Sequence, residues 1–336
     1  MSRLNRPNEM WLLDQHDKFK LYGLFFHVGV DPYPGVIHWC KVWWMVRNPK
    51  LIAHFYFDAA HAIGGVPLIT QSDPGTKNVN VAYAHTALHH QADPSLDGTI
   101  QHRWFRKHGN IKPEIHWLVF QWDWAAGFQE MLDKGVNQGL YDIDDPLECL
   151  IFHFVFIPFI QKEVDAWVYQ RNWTKWCADR KKVLPNGIPM LILQKPHQWN
   201  AADYKIYISP QSFAQMESKY APSDDPVFKL VPDAFVVHTN TIWTAMGSPQ
   251  PDFHNAWAIY MQICATLKSV QHSLGSSLTD RDSAQHQDDH NSDVDTSLLI
   301  DWEDFSSDST SSPVLSPIAD LTEDEDNAEG HGISLA

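Results

Sequence analysis

The chain has little cysteine, little positive charge and no long apolar run. Its four cysteines, Cys40, Cys149, Cys177 and Cys264, are scattered over 336 residues and form no Cys-x-x-Cys pair. That excludes a zinc ribbon and a secreted disulfide scaffold, and favours a reducing compartment. The longest apolar run, 150–160, is interrupted by His153 and Pro158. It is too short to span a bilayer and reads as a buried helix. The first ten residues are polar, unlike a secretory signal, and no internal repeat is present. Lys and Arg number 25 against 41 Asp and Glu, for a net charge of −16. Such a charge opposes nucleic-acid binding only where it is located. Residues 271–336 hold 16 of the acids and a single basic residue, Arg281, which leaves the body at net −1. The whole-chain charge therefore says little about the body's partners.

What is present is a globular body: 44% hydrophobic residues and 15 Trp, enough for one large or two ordinary domains. Residues 10–14 and 21–30 read as paired strands around a polar turn. Residues 36–46, apolar at almost every position, read as a central strand covered on both faces. Asn48-Pro49 opens a helix that Gly64-Gly65 ends. A short strand at 66–70 and a helix at 78–91 follow. A helix from Pro113 to about 133 shows Ile115, Leu118, Val119, Trp122, Ala125 and Ala126 at the helical period. A long helix runs from Pro146 towards 178, kinked or broken near Pro158. Residues 204–209 and 235–238 read as short strands, and 257–270 as a helix. Strands first, then strands alternating with helices, predict an α/β layer fold. The expected organisation is a core at 1–145, a helical extension at 146–195, a small region at 196–270 and an acidic disordered tail at 271–336. Within that tail SLLIDWEDF, 297–305, is an acidic-hydrophobic island suited to a protein partner.

Three carboxylates carry the chemistry. Asp14 follows Trp11-Leu12-Leu13 in a strand, Asp73 lies in VPLITQSDPGTKN where a second apolar strand ends in a polar turn, and Glu114 opens an amphipathic helix. A lone Asp in a strand-turn segment is more often a turn former, and Asp17 competes with Asp14. An acid at a helix start also has a plain electrostatic reason to be there. Three acids at the ends of ordered elements can nevertheless converge. Convergent hard oxygen donors suit Mg²⁺ or Mn²⁺, and such ions can clamp the attacking and leaving oxygens of a phosphodiester. His85, His89 and His90 fall on one predicted helix, and the i,i+4 pair has a spacing that binds zinc. No third ligand is in view, so a solvated face is the expectation.

The stretches PNEMWLLDQHDK, GVDPYPG, ITQSDPGTKN and NIKPEIHW, in this order, resemble the integrase core of DDE transposases and retroviral-type integrases, and look closest to integrase-core proteins of fungal mobile elements. So does VDAWVYQRNWTKWCADRKKVLPNGIP further on. The resemblance covers roughly 7–195, with 59 positions from Asp14 to Asp73 and 41 from Asp73 to Glu114. It implies an RNase H-like mixed sheet flanked by helices, with Asp14 on the central first strand. It implies Asp14, Asp73 and Glu114 as catalytic, metal-holding acids with Mg²⁺ or Mn²⁺ as cofactor, and DNA nicking and strand transfer as the activity. Asn110 fits the family pattern ahead of the third acid. Two positions depart from that pattern: Lys77 stands where an acid is frequent, and Pro113 where an aliphatic residue is usual. Only 13 residues precede Asp14, so no zinc module or helix-turn-helix comes first, and a truncated or decayed copy is expected.

Lys18, Lys77, Asn110 and Lys112 are the expected nucleic-acid contacts, with Lys20, Arg103, Arg106 and Lys107 near the same site in sequence. The expected partner is DNA, without a membrane, with room for a homo-oligomer, in the nucleus or cytoplasm. The rival reading is a catalytically inactive integrase-derived DNA-binding or interaction protein. A third is an RNase H-type nuclease on RNA–DNA hybrids.

Overall fold

Strand β1 (Met10–His16) pairs antiparallel with β2 (Phe25–Asp31), and β2 with β3 (Val36–Trp43). After helix α1 (Pro49–Ile63), β4 (Ile69–Ser72) joins β1 in parallel on its other side. Helix α2 (Val79–Ala92) leads to β5 (His102–Trp104), parallel to β4. The sheet order is β3-β2-β1-β4-β5, so β1 is central. These elements belong to a computed structural model that describes residues 6–105, 111–175 and 184–284, without the side chains of 111–112 and 271–284.

Local chemistry explains the early elements. Asn48 caps α1 by accepting the Lys50 N–H at 2.9 Å, with Pro49 in the first turn where its missing donor costs nothing. Gly64, at φ 69°, ends the helix in the left-handed region. Side chains alternate along β1. Trp11 and Leu13 enter a core with Trp39, Ile52, Phe55, Tyr56, Val81, Ala84 and Leu88 beneath α1 and α2. Leu12, Asp14 and His16 take the other face. Gly29 of β2 admits the Trp39 ring, which a Cβ there would meet at 2.2 Å.

The second face is covered by α3 (Ile111–Phe120), a π turn at Gln121–Ala125, α4 (Ala126–Asn137) and α5 (Pro146–Trp173). The face of α3 that packs inward is not the one the apolar period picks out. Trp117 and Phe120 are buried, whereas Ile115, Leu118 and Trp122 are 46%, 57% and 82% exposed. Apolar residues nearly encircle this helix, and the large rings win the core: Phe120 lies 5.2 Å from Phe26, 4.7 Å from Trp124 and 5.1 Å from Trp167 between ring centres. Pro158 sits inside α5 without ending it, and the helix stops at Trp173.

β3 is an edge strand, not a central one. Val36, Ile37, Trp39, Cys40 and Val42 are buried all the same, and α5 covers the open edge. Asn172 accepts the Ile37 N–H at 2.9 Å and donates to the Ile37 carbonyl at 2.8 Å. Gln161 accepts from the Val42 N–H at 2.9 Å and donates to the Cys40 carbonyl at 3.0 Å. Two side-chain amides thus replace a missing strand and close an edge open to foreign pairing.

The rest of the described chain is helical: α6 (Pro189–Gln194), α7 (Pro210–Tyr220), α8 (Asp233–Ala245) and α9 (Ala256–Ala284). The strand expected at 204–209 reduces to one bridge, Ile206 with Val66. The strand expected at 235–238 is part of α8, because Phe235 and Thr239, four apart, are both buried on one helical face. Helix α7 places Phe213 and Met216 in the core beneath α1 and α2, and Lys50 pairs with Asp225 at 2.5 Å. Trp257 of α9 donates to the Met131 carbonyl at 3.0 Å and packs on Phe156 of α5. Helix α9 passes the expected boundary at 271, since helical hydrogen bonds propagate locally once nucleated. Residues 285–336, with 297–305, lie outside the described residues.

Candidate active site

Asp14 faces the α3 side of the sheet, opposite Val28 of β2. The parallel register pairs Leu13 with Ser72, so Asp73, the residue after β4, follows in line beside Asp14. Their charges interact. Burial pushes the Asp14 carboxyl up from 3.8 to about 6; the Gln15 backbone and the Trp117 indole pull it down, the Asp73 charge pushes it up, and Lys77 pulls it down. Lys77 lies in the single turn Thr76–Asn78, and its charge also reaches His27. One loop thus brings an acid and a base to the end of the central strand.

Glu114 occupies the exposed first turn of α3. Three residues on, Trp117 donates its Nε1–H to Asp14 Oδ2 at 2.9 Å. Positions three apart are neighbours on a helix surface, so Glu114 stands one turn from the bond joining α3 to β1. The structure thus brings the charges of Asp14, Asp73 and Lys77 into mutual reach; the charges acting on Asp14 are those of Asp73 and Lys77, and Glu114 is linked to it only through the helix that carries Trp117. Asp17 is exposed beyond the strand and accepts the Gln15 amide. Lys18 is exposed in the same turn. Asn110, Arg106, Lys107 and the side chain of Lys112 lie outside the described residues.

Among the described residues no three His, Cys, Asp or Glu side chains lie close enough together to hold a metal ion. The donors still fit a hard cation by chemistry. They are carboxylate oxygens without a thiolate, and Asp14 is held half-buried against the like charge of Asp73, which a cation would offset.

Of the α2 histidines, His90 is half-exposed and meets the Thr99 carbonyl at 2.9 Å, while His85 and His89 are neither a solvated face nor a zinc pair. His85 and His89 are buried, with ring centres 4.5 Å apart. His85 Nδ1 meets the Tyr56 hydroxyl at 2.8 Å, and His89 Nε2 the Pro67 carbonyl at 2.9 Å. Burial depresses both pKa values, so they are neutral core groups. The residue that sequence reasoning missed is Trp117. It looks like one more apolar helix position; its signal is an indole N–H one turn after the candidate Glu.

A mixed sheet in this order, with one acid on its central strand and another just past the end of the parallel neighbour, defines an RNase H-like α/β protein. The chain belongs to the integrase core domain family, whose model matches residues 1–190. That is a family of the polynucleotidyl transferase type. The match takes in the whole sheet and α5 and ends within α6, short of the helices α7–α9. No curated protein matches the chain, and no solved structure does. Among the described residues no helix is long and apolar enough to cross a membrane.

Proposed function

We propose that this protein is a divalent-metal-dependent DNA strand transferase that nicks DNA by hydrolysis and then joins the freed 3′-hydroxyl to target DNA. The observation that carries the reading is that Asp14 and Asp73 both come directly after the last parallel-paired residues of β1 and β4, Leu13 and Ser72, with Glu114 on the helix bonded to Asp14. Asp14, Asp73 and Glu114 would hold Mg²⁺ or Mn²⁺. When bound, such an ion supplies positive charge to the attacking oxygen and to the phosphate that receives it. The chain's own part is to fix the acids on rigid elements and to shield Asp14 from water on one side. Lys77 adds a fixed positive charge beside the acids, suited to a phosphate of the DNA backbone. The order of the motifs around Asp14, Asp73 and Glu114 supports placing the chain near the integrase-core proteins of fungal mobile elements, acting in the nucleus.

The test is a strand-transfer assay in Mg²⁺ or Mn²⁺ on wild type and Asp73→Asn, with fluorescence anisotropy for DNA binding. The variant keeps the shape and loses the charge that holds the cation. Strand transfer is expected to vanish while DNA binding stays or tightens, because one repulsion towards phosphate is gone. Activity that survives Asp73→Asn overturns the assignment. A folded wild type without metal-dependent activity moves the protein to the rival reading, an inactive integrase-derived DNA-binding protein.

A further inference from the structure

The bond from Trp117 to Asp14 is built to be rigid. Trp117 is 7% exposed. Its ring stacks on His16 at 4.7 Å and 16°, and the Phe120 ring meets it edge-on at 5.7 Å and 76°. His16 and Asp14 are two apart on β1 and share a face. The strand therefore supplies both anchors of one indole: a stacking surface at position 16 and an acceptor at position 14. Indole offers one donor and no acceptor, so the contact has a single polarity. It engages Asp14 Oδ2, while the Gln15 backbone N–H bonds to the same carboxylate.

We infer that Trp117 is a positioning residue. Through its N–H it fixes the Asp14 carboxylate and ties the helix bearing Glu114 to strand β1, so that the acids are held ready for a divalent cation. The inference rests on the reading of Asp14 and Glu114 as cation-holding acids given above. Groups that orient a ligand carboxylate typically change metal affinity by about 10- to 100-fold when removed. A Trp that only filled space would act through its ring alone.

The two roles separate when the ring is kept and the N–H removed. Trp117→Phe retains an aromatic ring against His16. A closer variant places 3-benzothienylalanine at 117, where sulfur replaces the indole N–H and the shape is kept. Mn²⁺ binding to the full chain is followed by the electron-spin signal of free Mn²⁺, with thermal melting as the control for folding. Both variants are expected to melt within a few degrees of wild type and to bind Mn²⁺ about tenfold more weakly, with DNA affinity unchanged. Wild-type Mn²⁺ affinity in the benzothienylalanine protein overturns the positioning role and leaves the metal reading standing. Asp14→Asn is the separate control: Mn²⁺ binding that persists in it overturns the metal reading, and this inference with it.

Discussion

The face of the sheet under α1 and α2 and the open end of β1 and β4 both bury ionisable side chains, in opposite ways. On the first, His27 accepts the Trp39 indole N–H at Nδ1, at 3.1 Å, which leaves Nε2–H to face Asn78 Oδ1 at 3.4 Å. His102 sets Nδ1 against the Thr70 hydroxyl at 2.9 Å and Nε2 against the Ser72 hydroxyl at 3.2 Å. Burial pushes His27 down to about 3 and His102 to about 4, so both are uncharged at neutral pH. At the strand ends the fold retains charge instead. Asp14 is pressed up to about 6 by its burial, beside the Asp73 and Lys77 charges, and is only partly open to solvent. Where neutral partners answer every nitrogen, the polar groups hold the structure together. Where like charges are held together, a ligand of opposite charge has something to gain.

That contrast is sharpest in the pH dependence of stability. For the buried histidines the folded pKa lies below the unfolded value of 6.5. The unfolded chain therefore binds more protons between about 6.5 and 4, and stability present above 6.5 is lost as pH falls through the folded values. His16, also pushed to about 4, and His85 act in the same sense. A loss of several kcal/mol is expected by pH 5, because each such histidine forfeits about 1.4 kcal/mol for every pH unit below 6.5 at which it stays neutral. This is the largest effect foreseen, and urea midpoints at pH 7, 6 and 5 measure it. A flat profile would show that these histidines are not held neutral.

The acid end should respond with the opposite sign. The folded pKa of Asp14 is raised, so the folded state keeps its proton longer than the unfolded chain. The stability this gives is present below about 3.8 and is lost as pH rises through about 6. Metal-free Asp14→Asn should then be more stable than wild type at pH 7 by about 1–3 kcal/mol, with the gap closing towards pH 4. Mg²⁺ should raise the melting temperature of wild type and not of the variant. Equal stabilities at pH 7 would mean that the carboxylate is better solvated than its burial implies.

The sequence carried this contrast unevenly. Asp14, Asp73 and Glu114 stand out because each is polar at the edge of an apolar run, and β1 to β4, α1, α2 and α5 announce themselves by run length and by Asn-Pro or Gly-Gly boundaries. β5 does not. It is only His102-Arg103-Trp104, a strand by virtue of pairing with β4, and pairing leaves no local trace. Phe235-Val236-Val237 looks like a strand by composition and becomes a helix because tertiary packing overrides a weak propensity. The neutrality of His85 was illegible for the same reason: its partner Tyr56 is 29 positions away. Trp117 shows the limit most clearly. Its ring lies off the apolar period read for this helix, and its N–H is spent on a strand 103 positions earlier.

The smallest predicted effect belongs to Lys77, which stands between the two regions, its charge felt by His27 on one face and by Asp14 on the other. If it faces phosphate, Lys77→Gln should weaken DNA binding a few-fold, alike for unrelated sequences. The slope of log affinity against log salt should fall by about one unit, as expected for one lost phosphate contact. If it serves only to balance Asp14, DNA affinity and salt slope stay put, and the Asp14 carboxyl moves further up, steepening the loss of stability between pH 4 and 7. Anisotropy titrations at three salt concentrations, beside urea midpoints at pH 5 and 7, separate the two. A change in slope without a change in the pH profile would place Lys77 with the DNA, and the reverse would place it with the strand ends.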